Sequence, residues 1–326
     1  MAIWRLLKFS SKFVLKPSYL LMTSKIFINQ DSFGQNSIYK WNKVSTALPD
    51  LEPVVLPSDE LTQKMRTHIQ TNNSLIIGGG DGTIHHTLNS VFQNDFDFHR
   101  VRLGIVGLGS SCSFLKSVPS AQKENSVPYI TDSSSESSVD IGKVFFKTED
   151  GTQHTKYFVA NGSIGFLALG NQLFNQKGGL TQRLKSLSTD AANNYIFVKS
   201  LFKYTPVRAT VADTAEKKYL NIQFLKAKHY TGEYFFERGN SLQSGLLDFH
   251  LFDDLGPMHT LKVFYNLTLK NEFKSPTHIE FKDKSITIKT DQPVPFELDG
   301  EIYQGKEFLV ECVPRKLRLM TELEKV

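Results

Sequence analysis

The 326-residue sequence contains only two cysteines, Cys112 and Cys312, and they do not form a CxxC pair. Two distant cysteines supply neither a disulfide framework nor a structural zinc site, so the sequence favours a reducing compartment. A run of ~20 apolar residues, which a helix needs to cross a bilayer, is also missing. We therefore expect a cytoplasmic protein without a membrane-spanning helix.

An excess of charge of one sign is nearly absent as well, because 38 Lys and Arg against 33 Asp and Glu give a formal charge of +5. This excess is too small to indicate nucleic-acid binding, so we expect no nucleic-acid partner. It suits a protein that approaches phosphates or an anionic membrane surface. Hydrophobic residues at 40% and charged residues at 22% are typical of a globular chain long enough for two domains.

Acidic residues are missing from the first thirty positions, which carry Arg5, Lys8, Lys12, Lys16 and Lys25 among apolar side chains. The apolar run is broken by lysines and no small-residue cleavage site follows, so it does not match a secretory signal. Residues 1–23 have the composition of a basic amphipathic helix that lies on a membrane. The other interpretation is a helix packed on the core. We expect peripheral membrane association.

Short apolar runs alternate with helical spacing in the first half of the chain. Strands are predicted at 25–29, 53–56, 74–77 and 102–106, and helices at 60–70 and 84–92. Several of these strands end directly in glycine-containing turns. This alternation predicts an α/β unit with a parallel sheet.

The small polar segment Thr131–Ser138 marks the best domain boundary. Beyond it, β-branched and aromatic runs are separated by turn residues, with a helical insertion around residues 179–204. This pattern predicts an antiparallel β-sandwich over residues 139–312.

The sharpest motif is Ser74–Thr83, SLIIGGGDGT, in which a buried strand runs into glycines and a helix follows. Glycine permits positive φ and close approach of a ligand, and a helix start offers free N–H groups to phosphate. Asp81 is able to hold a metal-bound phosphate, orient a hydroxyl or cap the helix. The motif is neither the GxGxxG fingerprint nor the P-loop. We predict a nucleotide site here.

GGDGT followed by TIHHTLNSV resembles the signature of the diacylglycerol kinase and sphingosine kinase-like lipid kinase family. Three further stretches resemble the family in order and spacing: Ile26–Gly34, Leu103–Phe114 and Pro295–Glu301. Residues 245–249, after Gly239 and Asn240, are a weaker landmark. Together these stretches cover most of residues 24–320.

The resemblance implies an α/β nucleotide-binding domain at 24–132, joined by 313–326, and a lipid-binding β-sandwich at 139–312, with an interdomain cleft between them. It implies transfer of the γ-phosphate of ATP, with Mg²⁺, to a hydroxyl of a membrane lipid that is diacylglycerol-like or sphingoid. The lipid and an anionic membrane surface are then the expected partners, and a homodimer is compatible with the sequence.

The resemblance also implies the site residues. Glu301 matches the proton acceptor of the family, with Asp299 and Asp81 as acidic neighbours, although Asp-Gly is also a common hairpin turn. The implied nucleotide-binding residues come from three loops: Asn29, Gly78, Gly79, Gly80, Asp81, Gly82, Thr83, Gly109, Ser110 and Ser111.

Three departures weaken the resemblance at the site. Cys112 and Ser113 stand where the family has an amide and a carboxylate. Ser244 stands where bacterial members have the aspartate ligand of a magnesium site, and a hydroxyl is a weaker ligand than a carboxylate.

A catalytically weakened relative that binds lipid or nucleotide is therefore the alternative function, and a NAD kinase, which shares GGDGT, is a third possibility. We expect Cys112 to be a buried filler and His85 and His86 to lie on a helix surface.

Overall fold

The structure is a computed structural model that describes residues 24–32, 36–92, 94–176, 189–231, 234–235, 241–254, 256–268 and 277–323. The basic N-terminal segment 1–23, Gly34 of the opening loop, and the Gly239-Asn240 pair lie outside these residues. Among the described residues, no helix has both the length and the apolar character required to cross a membrane.

Four parallel strands form the first part of the fold, in the order β2, β1, β3, β4. They are β1 (Ser24–Asn29), β2 (Leu51–Leu56), β3 (Ser74–Gly79) and β4 (Arg102–Gly107). The helices are α1 (Ser37–Val44), α2 (Ser58–Thr71), α3 (Asp81–His86) with a following π-helical turn (Thr87–Val91), α4 (Asp95–Arg100) and α5 (Ser113–Lys116). Because the strands are parallel, their carboxyl ends lie at one edge of the sheet.

Antiparallel strands and three helices follow. The elements are β5 (Gln122–Glu124), β6 (Val127–Ile130), β7 (Ser137–Lys147), β8 (Gln153–Phe158), β9 (Asn161–Gly165), α6 (Phe166–Asn175), α7 (Thr189–Lys203), β10 (Val207–Val211), β11 (Lys217–Leu225), β12 (His229–Thr231), β13 (Tyr234–Phe235), β14 (Leu247–Asp253), α8 (Pro257–Thr268), β15 (His278–Asp283), β16 (Ser285–Leu298) and β17 (Glu301–Leu319).

The 19-residue strand β17 joins the two parts. It pairs antiparallel with β16 and β7, and its last residues, Arg318 and Leu319, pair parallel with Arg102 and Leu103 of β4. Hydrogen bonds therefore connect both parts into one 15-stranded sheet in the described chain. The second part is thus hydrogen-bonded continuously to the parallel strands rather than separated from them.

Successive side chains of the parallel strands point to opposite faces of the sheet, and both faces are buried. Phe27 of β1 belongs to one buried cluster, whereas its neighbours Ile26 and Ile28 belong to another on the opposite face. The antiparallel strands enclose a separate apolar cluster, in which Phe224, Phe249 and Phe296 are fully buried. The antiparallel strands therefore have a core of their own, whereas the core of the parallel strands also contains Val139, Ile141 and Ala160 of the second part.

Candidate functional site

The glycine loop between β3 and α3 packs against the loop that follows β4. A Cβ on Gly80 would lie 2.9 Å from the Gly109 Cα, and a Cβ on Gly109 would lie 2.2 Å from the Gly80 Cα. The φ of Gly80 is −103°, which any residue adopts. Glycine is therefore required at Gly80 by the close approach of two backbones and not by a positive φ.

Replacing Gly109 with alanine should lower the free energy of unfolding by about 1–3 kcal/mol, because the new methyl group would overlap the backbone of Gly80. Gly170→Ala is the matched control, since a Cβ there would meet only the Ser200 Oγ at 3.8 Å and α6 favours alanine. Urea unfolding measures both variants. Equal stability of the two would contradict the packing described here.

Asp81 connects the two loops through hydrogen bonds. Its carboxylate accepts hydrogen bonds from the backbone N–H of Ser113, at 2.9 Å, and of Phe114, at 3.1 Å. Asp81 therefore caps α5 across the loops rather than the helix that it begins. Burial raises the pKa of the Asp81 carboxyl, and these amide donors oppose that shift.

Cys112 lies between these loops and is buried in the core, as predicted for a filler. Its φ of 51° turns the chain into α5. Burial, with the nearby charge of Asp81, raises the pKa of the Cys112 thiol to about 11, so the thiol stays protonated and unreactive at neutral pH.

The opening loop after β1 reaches the same place. The Asn29 Nδ2 donates to the Thr83 Oγ1 at 3.4 Å, and the Ser32 Oγ lies 3.0 Å from the same oxygen. The Ser58 Oγ, at the start of α2, donates to the Asn29 Oδ1 at 3.2 Å. The loops after β1, β3 and β4 therefore meet at one edge of the sheet.

Asp299 occupies the hairpin turn between β16 and β17, with a φ of 50°. Its buried carboxylate accepts hydrogen bonds from the backbone N–H groups of Val159, Ala160 and Asn161 at 3.0, 2.8 and 3.2 Å. The turn predicted from Asp-Gly is present, and it is anchored by its own aspartate to the β8–β9 connection.

His85 links this turn to the glycine loop. Its Nδ1 lies 3.3 Å from the Asp299 Oδ2 and its Nε2 lies 2.7 Å from the Tyr303 hydroxyl. The expectation of a surface histidine is wrong for His85, whose exposed fraction is 2%, because β17 covers this face of α3. His86, half-buried, contacts the Thr62 hydroxyl, and burial lowers the pKa of its imidazole.

Glu301, the first residue of β17, is exposed and faces the glycine loop. A Cβ on Gly82 would lie 3.1 Å from the Glu301 Oε1, so the carboxylate rests against the Gly82 backbone. Two residues that are more than two hundred positions apart in the sequence are thereby brought together.

Glu297 lies beneath the same turn and is buried. Its carboxyl group accepts hydrogen bonds from the Ser163 Oγ, at 3.1 Å, and the Gly300 N–H, at 2.9 Å. Burial raises the pKa of Glu297 to about 8, with a smaller contribution in the same direction from the charge of Asp299. Glu297 is therefore mainly protonated at neutral pH.

Between pH 5 and 8 this residue should make the protein less stable as the pH rises. The ordinary pKa is 4.5, so in this range the folded chain keeps a proton that the unfolded chain has released. Raising the pH then favours unfolding until the folded carboxyl also ionises. Glu297→Gln should flatten this decline, measured by urea unfolding from pH 5 to 8.5. The same decline in both proteins would exclude Glu297 as its source.

These loops and the β16–β17 turn enclose a pocket of about 580 Å³. Its walls contain the three predicted catalytic residues and eight of the predicted nucleotide-binding residues: Asp81, Asp299, Glu301, Asn29, Gly80, Gly82, Thr83, Gly109, Ser110 and Ser111, with Asp81 in both sets. Gly78 and Gly79 lie within β3, beneath the pocket.

The sequence interpretation missed several residues of the pocket wall, among them Lys156, Asn161 and Tyr303. The Lys156 Nζ lies 5.5 Å from the centre of the Tyr303 ring and brings a cation to the pocket. Lys156 sits within an ordinary strand, so its neighbours in the sequence give no signal of a site. Tyr303 follows Glu301 by two positions on one strand, a spacing that places both on the same face.

Ser244 lies outside the pocket wall, next to the buried ammonium group of Lys226. That ammonium lies 2.8–3.1 Å from four oxygen atoms, one of which is the Ser244 Oγ. The residues around Ser244 do not fit a Mg²⁺ ion, because the ammonium group of Lys226 already fills the space between these oxygens.

Comparisons with known proteins identify a matching domain model and similar folds. Residues 23–144 match the model of the diacylglycerol kinase catalytic domain. A comparison with curated proteins finds no significant match. A solved structure of a candidate diacylglycerol kinase from Bacillus anthracis str. Sterne has 16% identity and a TM-score of 0.64, covering 94% of this chain and 97% of that chain.

A diacylglycerol kinase structure from the same organism has 16% identity and a TM-score of 0.58, covering 94% of this chain and 98% of that chain. At this identity the two structures show a shared fold along nearly the whole chain. The resemblance predicted from the glycine motifs is confirmed: residues 23–144 match the diacylglycerol kinase catalytic-domain model, and the fold is shared with diacylglycerol kinase structures.

Proposed function

We propose that the protein is an ATP-dependent lipid kinase that transfers the γ-phosphate to a hydroxyl of a membrane lipid, diacylglycerol-like or sphingoid. The observation that carries the proposal is the Glu301 carboxylate against Gly82, inside a pocket formed by the glycine loops. Phosphoryl transfer requires positioned phosphates and a carboxylate near the attacking hydroxyl, and this pocket offers both.

The phosphates of ATP would lie along the glycine loops, where the absence of side chains leaves backbone N–H groups accessible. Lys156 is the lysine of the pocket wall and would balance part of their charge. Mg²⁺, when bound with ATP, screens the remaining phosphate charge. Asp31 and Glu301 are the exposed acids of the pocket wall, and Asp31, whose carboxylate also accepts hydrogen bonds from Ser58, would hold the ion together with the phosphates.

In the reaction, Glu301 accepts the proton of the lipid hydroxyl while the hydroxyl oxygen attacks the γ-phosphorus. The new bond joins the lipid oxygen to phosphorus, the bond between phosphorus and the β–γ bridging oxygen breaks, and ADP leaves. Asp299 does not take that proton in this scheme, because its carboxylate already accepts the backbone N–H groups of Val159, Ala160 and Asn161. It positions the turn that carries Glu301.

We also propose that residues 24–132 with 313–326, and residues 139–312, act as two domains with the pocket as their cleft. The apolar cluster of the antiparallel strands contains no residue of the parallel strands and supports this division. The lipid chain would enter from the antiparallel part and ATP from the parallel part.

A catalytically weakened lipid- or nucleotide-binding protein is the second candidate. It is favoured by the engagement of both Asp81 and Asp299 with backbone N–H groups, which leaves Glu301 as the acid that the reaction would use. The serine at position 113 adds to this argument, since its side chain supplies no charge.

Incubation with ATP labelled at the γ-phosphate and a total lipid extract, with and without Mg²⁺, separates the candidates. The kinase proposal predicts a labelled lipid that requires Mg²⁺, identified by mass spectrometry. ATP or lipid binding without transfer would support the second candidate. Labelled NADP, formed when NAD is added, would identify a NAD kinase instead.

A lipid substrate lies in a bilayer, so we propose reversible peripheral binding through the N-terminal segment 1–23. Deleting residues 2–16 should reduce co-sedimentation with anionic liposomes, and high salt should reduce it partly, because each cation contributes about 1 kcal/mol at most. Unchanged sedimentation with a lower melting temperature would instead indicate a helix packed on the core.

A further inference from the structure

Lys226, directly after β11, places its ammonium group in a cage of oxygen atoms. The Nζ lies 2.8 Å from the Asp140 Oδ2, 3.0 Å from the Ser241 carbonyl oxygen, 3.0 Å from the Leu246 carbonyl oxygen and 3.1 Å from the Ser244 Oγ. The side chains of Lys226 and Asp140 have exposed fractions of 0%. A cation is therefore fully enclosed in this part of the fold.

The carboxylate of the pair is also fully engaged. The Asp140 Oδ2 accepts a further hydrogen bond from the Gly245 N–H at 2.7 Å, and the Oδ1 accepts one from the Arg315 N–H at 2.9 Å. A buried ion pair is tolerated when both charges are hydrogen-bonded in this way. The pair holds together β7, the 241–246 segment and the last part of β17.

A carboxylate, two carbonyl oxygens and a hydroxyl are the kinds of ligand that a hard divalent cation binds. Here the ammonium occupies their centre, and its charge balances that of Asp140. A metal ion at the same place would be repelled by the positive charge of Lys226 and excluded by the volume of its side chain. The cage therefore has the ligands of a cation site but contains a cation that belongs to the chain.

The cage is connected to the candidate active site through backbone hydrogen bonds. The N–H groups of Lys226 and Ala227 both donate to the Ala160 carbonyl, at 2.8 and 3.0 Å. The Ala160 N–H in turn donates to the Asp299 carboxylate at 2.8 Å. The position of Lys226 thus fixes the residue that holds the Asp299 turn.

We propose that Lys226 is a built-in cation that replaces a bound metal ion in this cage and positions the segment that anchors Asp299. This part of the protein then needs no divalent ion for its stability. The proposal concerns the cage and stands whether or not the protein phosphorylates lipids.

The first test compares melting temperatures without nucleotide, in EDTA, in MgCl₂ and in CaCl₂. The wild-type protein should melt at the same temperature in all three. Lys226→Met should melt lower by on the order of 5 °C, because Asp140 loses its buried partner. Lys228→Ala, which removes an exposed lysine two positions away, is the matched control and should melt like the wild type. Destabilisation of the wild type by EDTA, or no effect of Lys226→Met, would overturn the proposal.

The second test rebuilds the site as a metal site. The double variant Lys226→Ala with Ser244→Asp has two carboxylates and space between them, so Ca²⁺ or Mg²⁺ should raise its melting temperature and bind in calorimetry. Ser244→Asp alone should gain no metal-dependent shift, because Lys226 still fills the cage. A double variant that folds and ignores both metals would overturn the proposal.

Hydrogen exchange separates positioning from general stability. In Lys226→Met, the amides of residues 157–163 should exchange at least tenfold faster than in the wild type, while those of β3 change less. Adding Ca²⁺ to the double variant should slow exchange in 157–163 again. Equal acceleration in both segments would show that Lys226 does not position the Asp299 anchor. If the variants fail to fold, the effect of EDTA on the melting temperature of the wild type still decides the proposal.

Discussion

Replacing Glu301 with glutamine should lower kcat for lipid phosphorylation by a factor of about 10²–10⁴ and leave ATP affinity nearly unchanged. Glutamine has the shape of glutamate but cannot accept the proton of the attacking hydroxyl. The side chain rests against Gly82, so the neutral substitute also keeps the packing of the glycine loop. Initial rates at saturating ATP and lipid, with ATP binding measured by calorimetry, give both quantities.

Glu307→Gln is the matched control on the same strand. Its carboxylate accepts a hydrogen bond from the Lys147 Nζ at 2.8 Å, away from the pocket. A partly exposed pair of this kind contributes little to stability, so this variant should keep its activity. Equal rates for Glu301→Gln and Glu307→Gln would remove Glu301 from the reaction.

Replacing Asp299 with alanine should reduce the free energy of unfolding by about 3–5 kcal/mol, because three buried N–H groups lose their acceptor at once. The loss should appear as a lower urea midpoint with an unchanged slope. The turn that carries Glu301 would also lose its anchor, so activity should fall further than stability alone explains.

Two further variants distinguish the loss of this anchoring carboxylate from the loss of a carboxylate elsewhere on the protein. Asp299→Asn keeps one oxygen acceptor and tolerates the φ of 50°, so it should lose less stability than alanine. Asp291→Ala removes an exposed aspartate of β16 and should change stability by less than about 0.5 kcal/mol. A loss at Asp299→Ala no larger than at Asp291→Ala would contradict the anchoring of the turn.

The parallel strands could be predicted because each is a short apolar run that ends at a polar or glycine turn. The strand predicted at 74–77 corresponds to Ser74–Gly79, and the one at 102–106 to Arg102–Gly107. Strands β16, of 14 residues, and β17, of 19 residues, extend far beyond the β-branched and aromatic runs that they contain. Pro293, Pro295 and Pro314 interrupt the pattern there, and the pairing accommodates two of these regions with shifts of register.

The candidate site was partly visible in the sequence, because the glycine loops and the Asp-Gly-Glu turn stand out as motifs. Their hydrogen bonds were not visible, since each depends on contacts across the fold. The partners His85 and Asp299 are 214 positions apart. Lys226 follows an apolar strand, a position typical of an exposed lysine. The carboxylate, hydroxyl and carbonyl oxygens around its ammonium group become apparent only in the folded chain.

The most direct measurement is a crystal structure of the protein with Mg²⁺ and a non-hydrolysable ATP analogue. We expect the phosphates to lie along the loops at Gly80–Gly82 and Gly109–Ser111, with the γ-phosphate on the side of the pocket that faces Glu301. A nucleotide bound elsewhere, or one whose γ-phosphate points away from Glu301, would contradict the proposed phosphoryl-transfer site.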